Sequence, residues 1–209
     1  MTETTTAPQS LPIVRQGAVA WTGDNPFIYL KRDPAGQWSS LSVFFRIAAS
    51  PYGIGRAAVV VENPYDRTAS GSARMVLTDN VEMAKYLVRD FVSKFVLFRP
   101  SEVMDDLEYI GGAEFQQTLE GDDWTETATA ADRSITLTWR SLGEPFAVDV
   151  PGSESGTGQH EMFAVFRIAG GGEVNVDGRQ LEGTTIERDF LNGRGQSAGM
   201  AISETWVER

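Results

Sequence analysis

The sequence predicts a mainly β fold: an antiparallel meander that forms a closed or nearly closed barrel or a two-sheet sandwich, with one main helix at about 79–95. Three observations carry this. Short alternating apolar segments, punctuated by Gly, Asp and Pro, dominate the chain. Only one long segment, DNVEMAKYLVRDFVSKF at 79–95, has clear helical periodicity. Several stretches recur in the same order in both halves, the clearest being FRIA at 45–48 and again at 166–169.

The elements follow in order. The N-terminal MTETTTAPQS is polar, and residues 1–12 read as a disordered tail ahead of one domain over 13–209. Strands are expected near 27–31, 41–48, 57–62 and 73–78. In the helix, Met83, Leu87, Phe91 and Phe95 recur every four residues, and Tyr86 widens that face. Asp79 with Glu82 resembles a capping box, with Asp in place of the usual Ser or Thr. A shorter helix is expected from Ser101 to about Glu108. The segment 113–139 reads as three strands, turned at Gly121-Asp122-Asp123 and near Asp132, and SITLTW alternates cleanly at its end. Strands near 146–150 and 163–169, a hairpin around Asp177-Gly178 and a strand over 197–207 complete the chain.

The recurrence extends beyond FRIA. Trp21 precedes Pro26-Phe27 as Trp139 precedes Pro145-Phe146, and ARMVLTDN at 73–80 aligns with AGMAISET at 198–205. Residues 17–80 and 134–207 therefore read as two related β units meeting across one core. In strand count and meander the architecture is like that of the calycins, the lipocalin-type barrels; the chain carries no lipocalin sequence signature. A barrel of moderate size can hold a small ligand.

Composition narrows the chemistry. A net charge of −11 repels phosphate backbones and anionic lipid, so neither nucleic acid nor a membrane is an expected partner. Apolar runs such as AAVVV at 57–61 are too short to cross a bilayer, and the N-terminus lacks the basic and apolar regions of a signal peptide, so a cytoplasmic location is expected. The absence of cysteine removes thiolate chemistry, and a lone histidine, His160, makes a zinc site or a serine triad a poor expectation. No metal and no cofactor are expected. GIGRAA at 53–58 fits a dinucleotide pattern only formally, because a β-branched run follows it, and GGG at 170–172 has no Walker lysine; both read as turn glycines.

The candidate site comes from alternation. Arg46 shares a strand face with Phe44, and Arg167 with Val165, while both faces of each strand are apolar; each arginine then needs a carboxylate. Asp79 and Glu204 occupy matched positions in the recurrence and continue apolar faces. They are the candidate acids, with Asp79 alternatively a helix cap. His160, at a loop-to-strand junction, is either a third acid/base group or a solvent-facing loop residue. Tyr29 and Tyr52 are candidate polar groups of a pocket. Phe44, Trp139 and Trp206 are candidate walls, or ordinary core. The expected function is binding of a small apolar or amphipathic molecule in a β-barrel cavity, with cofactor-independent acid/base catalysis of lyase, isomerase or cyclase type. The alternatives are a non-catalytic interaction module and a flavin-binding barrel.

Overall fold

The computed structural model describes residues 18–191 and 193–208. The tail read over 1–12 lies outside them. The fold is mainly β, with one α-helix, one sheet of 13 strands and a separate two-stranded sheet.

The first half contributes β1 (Ala18–Asp24), β2 (Phe27–Leu30), β3 (Ser40–Ala49), β4 (Gly55–Glu62) and β5 (Arg74–Thr78), followed by α1 (Val81–Asp90) and β6 (Glu108–Ile110). The second half contributes β7 (Glu114–Glu120), β8 (Asp123–Ala130), β9 (Arg133–Leu142), β10 (Phe146–Val150) and β11 (Glu161–Val176). It continues with β12 (Arg179–Gln180), β13 (Glu187–Phe190), β14 (Gly193–Gln196) and β15 (Ala198–Glu208). The sheet runs β6-β5-β4-β3-β1-β15-β11-β9-β8-β7, with β2, β10 and β12 added beside it. Its two end strands, β6 and β7, are consecutive in the chain. Only residues 111–113 separate them, so the sheet must curl until its ends approach. The Ala113 amide ties this turn to the Thr78 carbonyl at 3.0 Å. The result is barrel-like.

Both faces of β3 and β4 are buried, which explains why SVFFRI and AAVVVE are almost continuously apolar rather than alternating. Phe44, Val60, Leu77, Leu137, Trp139 and Met200 fill the interior. Trp21, Phe45, Val59, Phe166 and Trp206 face outward and are covered by α1 and the segment after it. The interior is a packed core of side chains, and Trp139 Nε1 donates to the Phe27 carbonyl across it at 2.9 Å.

The helix occupies less of 79–95 than its periodicity predicts. It ends at Asp90 and gives way to a 3-10 turn over Val92–Lys94. Its cap is Asn80, whose side chain accepts from the Met83 amide; Asp79 instead accepts from the Arg56 amide at 2.6 Å, securing the start of β4. The helix expected from Ser101 is a 3-10 turn over Met104–Asp106.

The glycines at 170–172 also differ from expectation. They lie inside β11, where it changes partner on one edge from β10 to β9. A Cβ on Gly172 would press on Ile28 and Ala198, so close packing, not a turn, accounts for this residue.

The recurring stretches occupy strands in both halves, with Phe45 and Phe166 both facing the outer core and Met75 and Met200 both facing the interior. The tryptophans differ: Trp21 faces outward and Trp139 inward. β15 pairs directly with β11, whereas β5 is separated from β3 by β4. No helix among the described residues is long and apolar enough to cross a membrane.

Candidate functional site: an aromatic cleft on the outer face

The site begins with a bulge. Along the β11–β15 ladder Val165 pairs with Ser203, but Phe166 pairs with Ala201, leaving Ile202 as an extra residue. A bulge shifts the alternation by one. Met200 therefore points into the interior, while Glu204 and Trp206 point to the outer face. Gly23 of β1 lies opposite Glu204, and the β1–β3 ladder shifts register beside it. No larger residue fits there, because a Cβ would clash with the Arg46 carbonyl oxygen.

The β13–β14 hairpin supplies the other wall. It pairs only with itself, and its base is fixed by Ser197. The Ser197 amide donates to the Ile186 carbonyl at 2.8 Å, and its hydroxyl donates to the Tyr29 carbonyl at 2.7 Å. In ERDF, alternation turns Arg188 and Phe190 inward and Glu187 and Asp189 outward. The Arg188 guanidinium carbon sits 5.5, 5.4 and 5.3 Å from the ring centres of Phe27, Tyr29 and Phe190.

Between these walls is a cleft of about 330 Å³. Phe27, Tyr29, Phe166, Phe190, Trp206 and Phe95 line it, with Asn25, Arg188 and Glu204 as inner polar groups. Phe95 stacks on Trp206 at 5.8 Å, and Phe166 meets Phe190 edge-on at 5.2 Å. Exposed Val96, Leu191 and Glu154 stand at the mouth.

The polar groups of this cleft are incompletely paired. Among the described residues, eight buried side-chain N or O atoms lack a hydrogen-bond partner, and four belong to residues lining it: Asn25 Oδ1, Arg188 Nε, Glu204 Oε2 and Trp206 Nε1. Orphaned buried groups are rare and costly, and half of those found among the described residues fall at this one cleft. Burial pushes the Glu204 carboxyl up to about 8; the nearby Asn25 amide and Trp206 indole partly oppose this, and Asp24 adds to it. Burial lowers Arg188, with Tyr29 and Asp189 partly opposing. Its Nη1 donates to the Asp189 carbonyl at 3.2 Å, and among the described residues it has no carboxylate partner. Burial also raises the Tyr29 phenol.

Of the candidates read from the sequence, the fold brings Glu204, Tyr29 and Trp206 together here. The others lie elsewhere. Phe44 and Trp139 are buried in the interior, on the opposite face of the sheet. Arg46 does find carboxylates, but they are Asp24 at 2.6 Å and Glu126 at 2.5 Å. This bridge from β3 to β8 joins the two halves of the curled sheet, and Trp124 Nε1 also donates to Glu126 at 2.9 Å. Arg167 donates to the Gly143 and Leu142 carbonyls at 2.7 and 3.0 Å, so it staples the β9–β10 turn. Asp79 shares a surface groove with Arg46 but bonds the Arg56 amide rather than either arginine. The bulge is one reason Glu204 and Arg167 do not meet: the two side chains leave opposite faces.

His160 is buried instead of facing solvent. Its ring lies 4.6 Å from Phe91, its Nδ1 is 3.0 Å from Thr157 Oγ1, and burial lowers its pKa. It reaches Trp206 at 6.3 Å but does not line the cleft. Tyr52 is exposed and packs on Tyr86 at 5.1 Å. Arg188 and Phe190 were the residues that sequence reading missed. The alternation of Ile186, Arg188 and Phe190 in TTIERDF, an arginine between apolar residues as in FRIA, is the signal for them.

Fold and site together define a mainly β protein with a packed barrel-like core and an aromatic, partly charged cleft on its outer face. No family model, curated protein or solved structure matches the chain.

Proposed function

We propose that the protein binds a small, mostly apolar molecule in the outer-face cleft, with Glu204 as the group that exchanges a proton with it. The observation that supports this most is the concentration of four unpartnered polar atoms among stacked aromatic rings. Aromatic walls supply affinity through buried apolar area, and a few convergent polar groups fix orientation. A carboxyl group with a pKa near 8 is largely protonated at neutrality and still able to give or take a proton, as cofactor-independent lyase, isomerase or cyclase chemistry requires. The reading differs from the sequence expectation in its location: the barrel interior is occupied by side chains, and the available space lies outside it.

Native mass spectrometry of freshly isolated protein, combined with titration of small aromatic compounds against the tryptophan fluorescence that is lost in Trp206→Phe, tests this. A retained small molecule, or saturable quenching that Phe166→Ala weakens, supports it. Protein that carries nothing and answers no aromatic compound refutes it and favours a non-catalytic interaction role.

A further inference from the structure

Arg188 limits what such a ligand can be. Its guanidinium is held among three rings, it has no carboxylate partner among the described residues, and its buried Nε–H lacks an acceptor. Arg188 is half-buried with its Nε out of water, and a partly desolvated cation gains from an anionic partner, so the position is suited to an anion. Among the described residues no internal anion completes it. Glu204, in the same cleft, is kept mainly neutral at pH 7 by burial. Asp24 is committed to Arg46. Tyr29, its phenol pushed further up by burial, remains uncharged. Glu154 and Asp189 are exposed, where solvent screens them. His160 lies behind Trp206, outside the cleft. The inner cleft thus holds one positive charge and flat apolar walls.

We propose that the cleft selects a planar aromatic or conjugated monoanion, its ring among Trp206, Phe166 and Phe190 and its anionic oxygen on Arg188. The proposal rests on the reading of this cleft as a ligand site. The rings that hold Arg188 also restrict its rotamers, so little entropy is lost when its fork engages a planar oxygen pair. The protonated Glu204 carboxyl is a donor left for a second oxygen on the ligand.

A matched pair of probes tests the charge separately from the site. Naphthoate and naphthamide share a ring system and differ in charge, and binding of each is measured by calorimetry at pH 7 to the full chain. Naphthoate is expected to bind roughly tenfold or more tighter, the difference a charge-assisted hydrogen bond makes. Arg188→Gln should remove that preference, and Arg188→Lys should retain it. Unchanged near-ultraviolet circular dichroism establishes that the Gln variant is folded; if it is not, the wild-type and Lys comparisons decide alone. Equal or tighter binding of naphthamide overturns the monoanion inference while leaving a ligand site in place. A preference for naphthoate that survives in folded Arg188→Gln overturns the role of Arg188. Failure of both probes to bind overturns the monoanion inference together with the ligand-site reading.

Discussion

Glu204 is the residue where burial has the clearest measurable consequence. Its carboxyl is raised from a usual 4.5 to about 8 because folding removes it from water. Between those values the folded state holds a proton that the unfolded state has released. Its contribution to stability is therefore complete below about pH 4.5 and is lost as pH rises through about 8, at up to about 1.4 kcal/mol per pH unit. Glu204→Gln keeps the shape and removes the titration. The variant should melt higher than wild type at pH 8 and above, and the gap should close as pH falls toward 4.5. Parallel melting curves across that range would show that the carboxyl is hydrated in the folded protein. Buried His160 acts in the opposite direction: its lowered pKa favours the folded state above its usual 6.5 and removes that contribution as pH falls below it. Asp24 and Glu126, also raised by burial, act in the same direction as Glu204, so only the difference between variant and wild type isolates Glu204.

At the scale of elements, α1 and its 3-10 extension are the lid on the outer core. Phe91 sits where the two join, fully buried, with Trp21 at 5.7 Å, Trp206 at 5.5 Å and His160 at 4.6 Å. Phe91→Ala should cost about 3–5 kcal/mol, read as a lowered denaturant midpoint. Because Trp206 also lines the cleft, the same variant should loosen the site. An unchanged midpoint would mean that this face does not pack as described. The four-residue spacing of Met83, Leu87 and Phe91 was visible in the sequence. The break after Asp90 was not, because nothing local in RDFVSKF forbids another turn of helix; Phe91 adopts a non-helical backbone as the C-cap while it packs under Trp21 and Trp206.

Across the whole molecule, one sheet serves two cores. β2, β3, β4, β5, β11 and β15 contribute to both, as β3 does with Phe44 inward and Phe45 outward. Neither core can be lost without exposing the other face of the same strands. Unfolding should accordingly be a single transition, with tryptophan fluorescence and far-ultraviolet circular dichroism coincident. Phe91→Ala in the outer core and Leu137→Ala in the inner core, the latter costing about 2–5 kcal/mol, should both shift that one transition. Separate transitions for the two variants would divide the chain into independent units.

The sequence by itself determined the mainly β class, most strand positions, the turns at 121–122 and 177–178, and the helix face, because these follow from local periodicity and turn chemistry. It also marked Glu204 as an acid continuing an apolar face, Tyr29 as a polar group of a pocket and Trp206 as a wall. Only the tertiary structure decided which side of the sheet they occupy. One extra residue, Ile202, reverses the alternation of β15 and turns Glu204 away from the interior face that Met200 shares. Only the tertiary structure, likewise, gave Arg46 its acids from β1 and β8 and left Arg188 without one. The physical reason is that alternation says which side chains travel together along a strand, whereas a bulge and the pairing of distant strands set what those side chains meet.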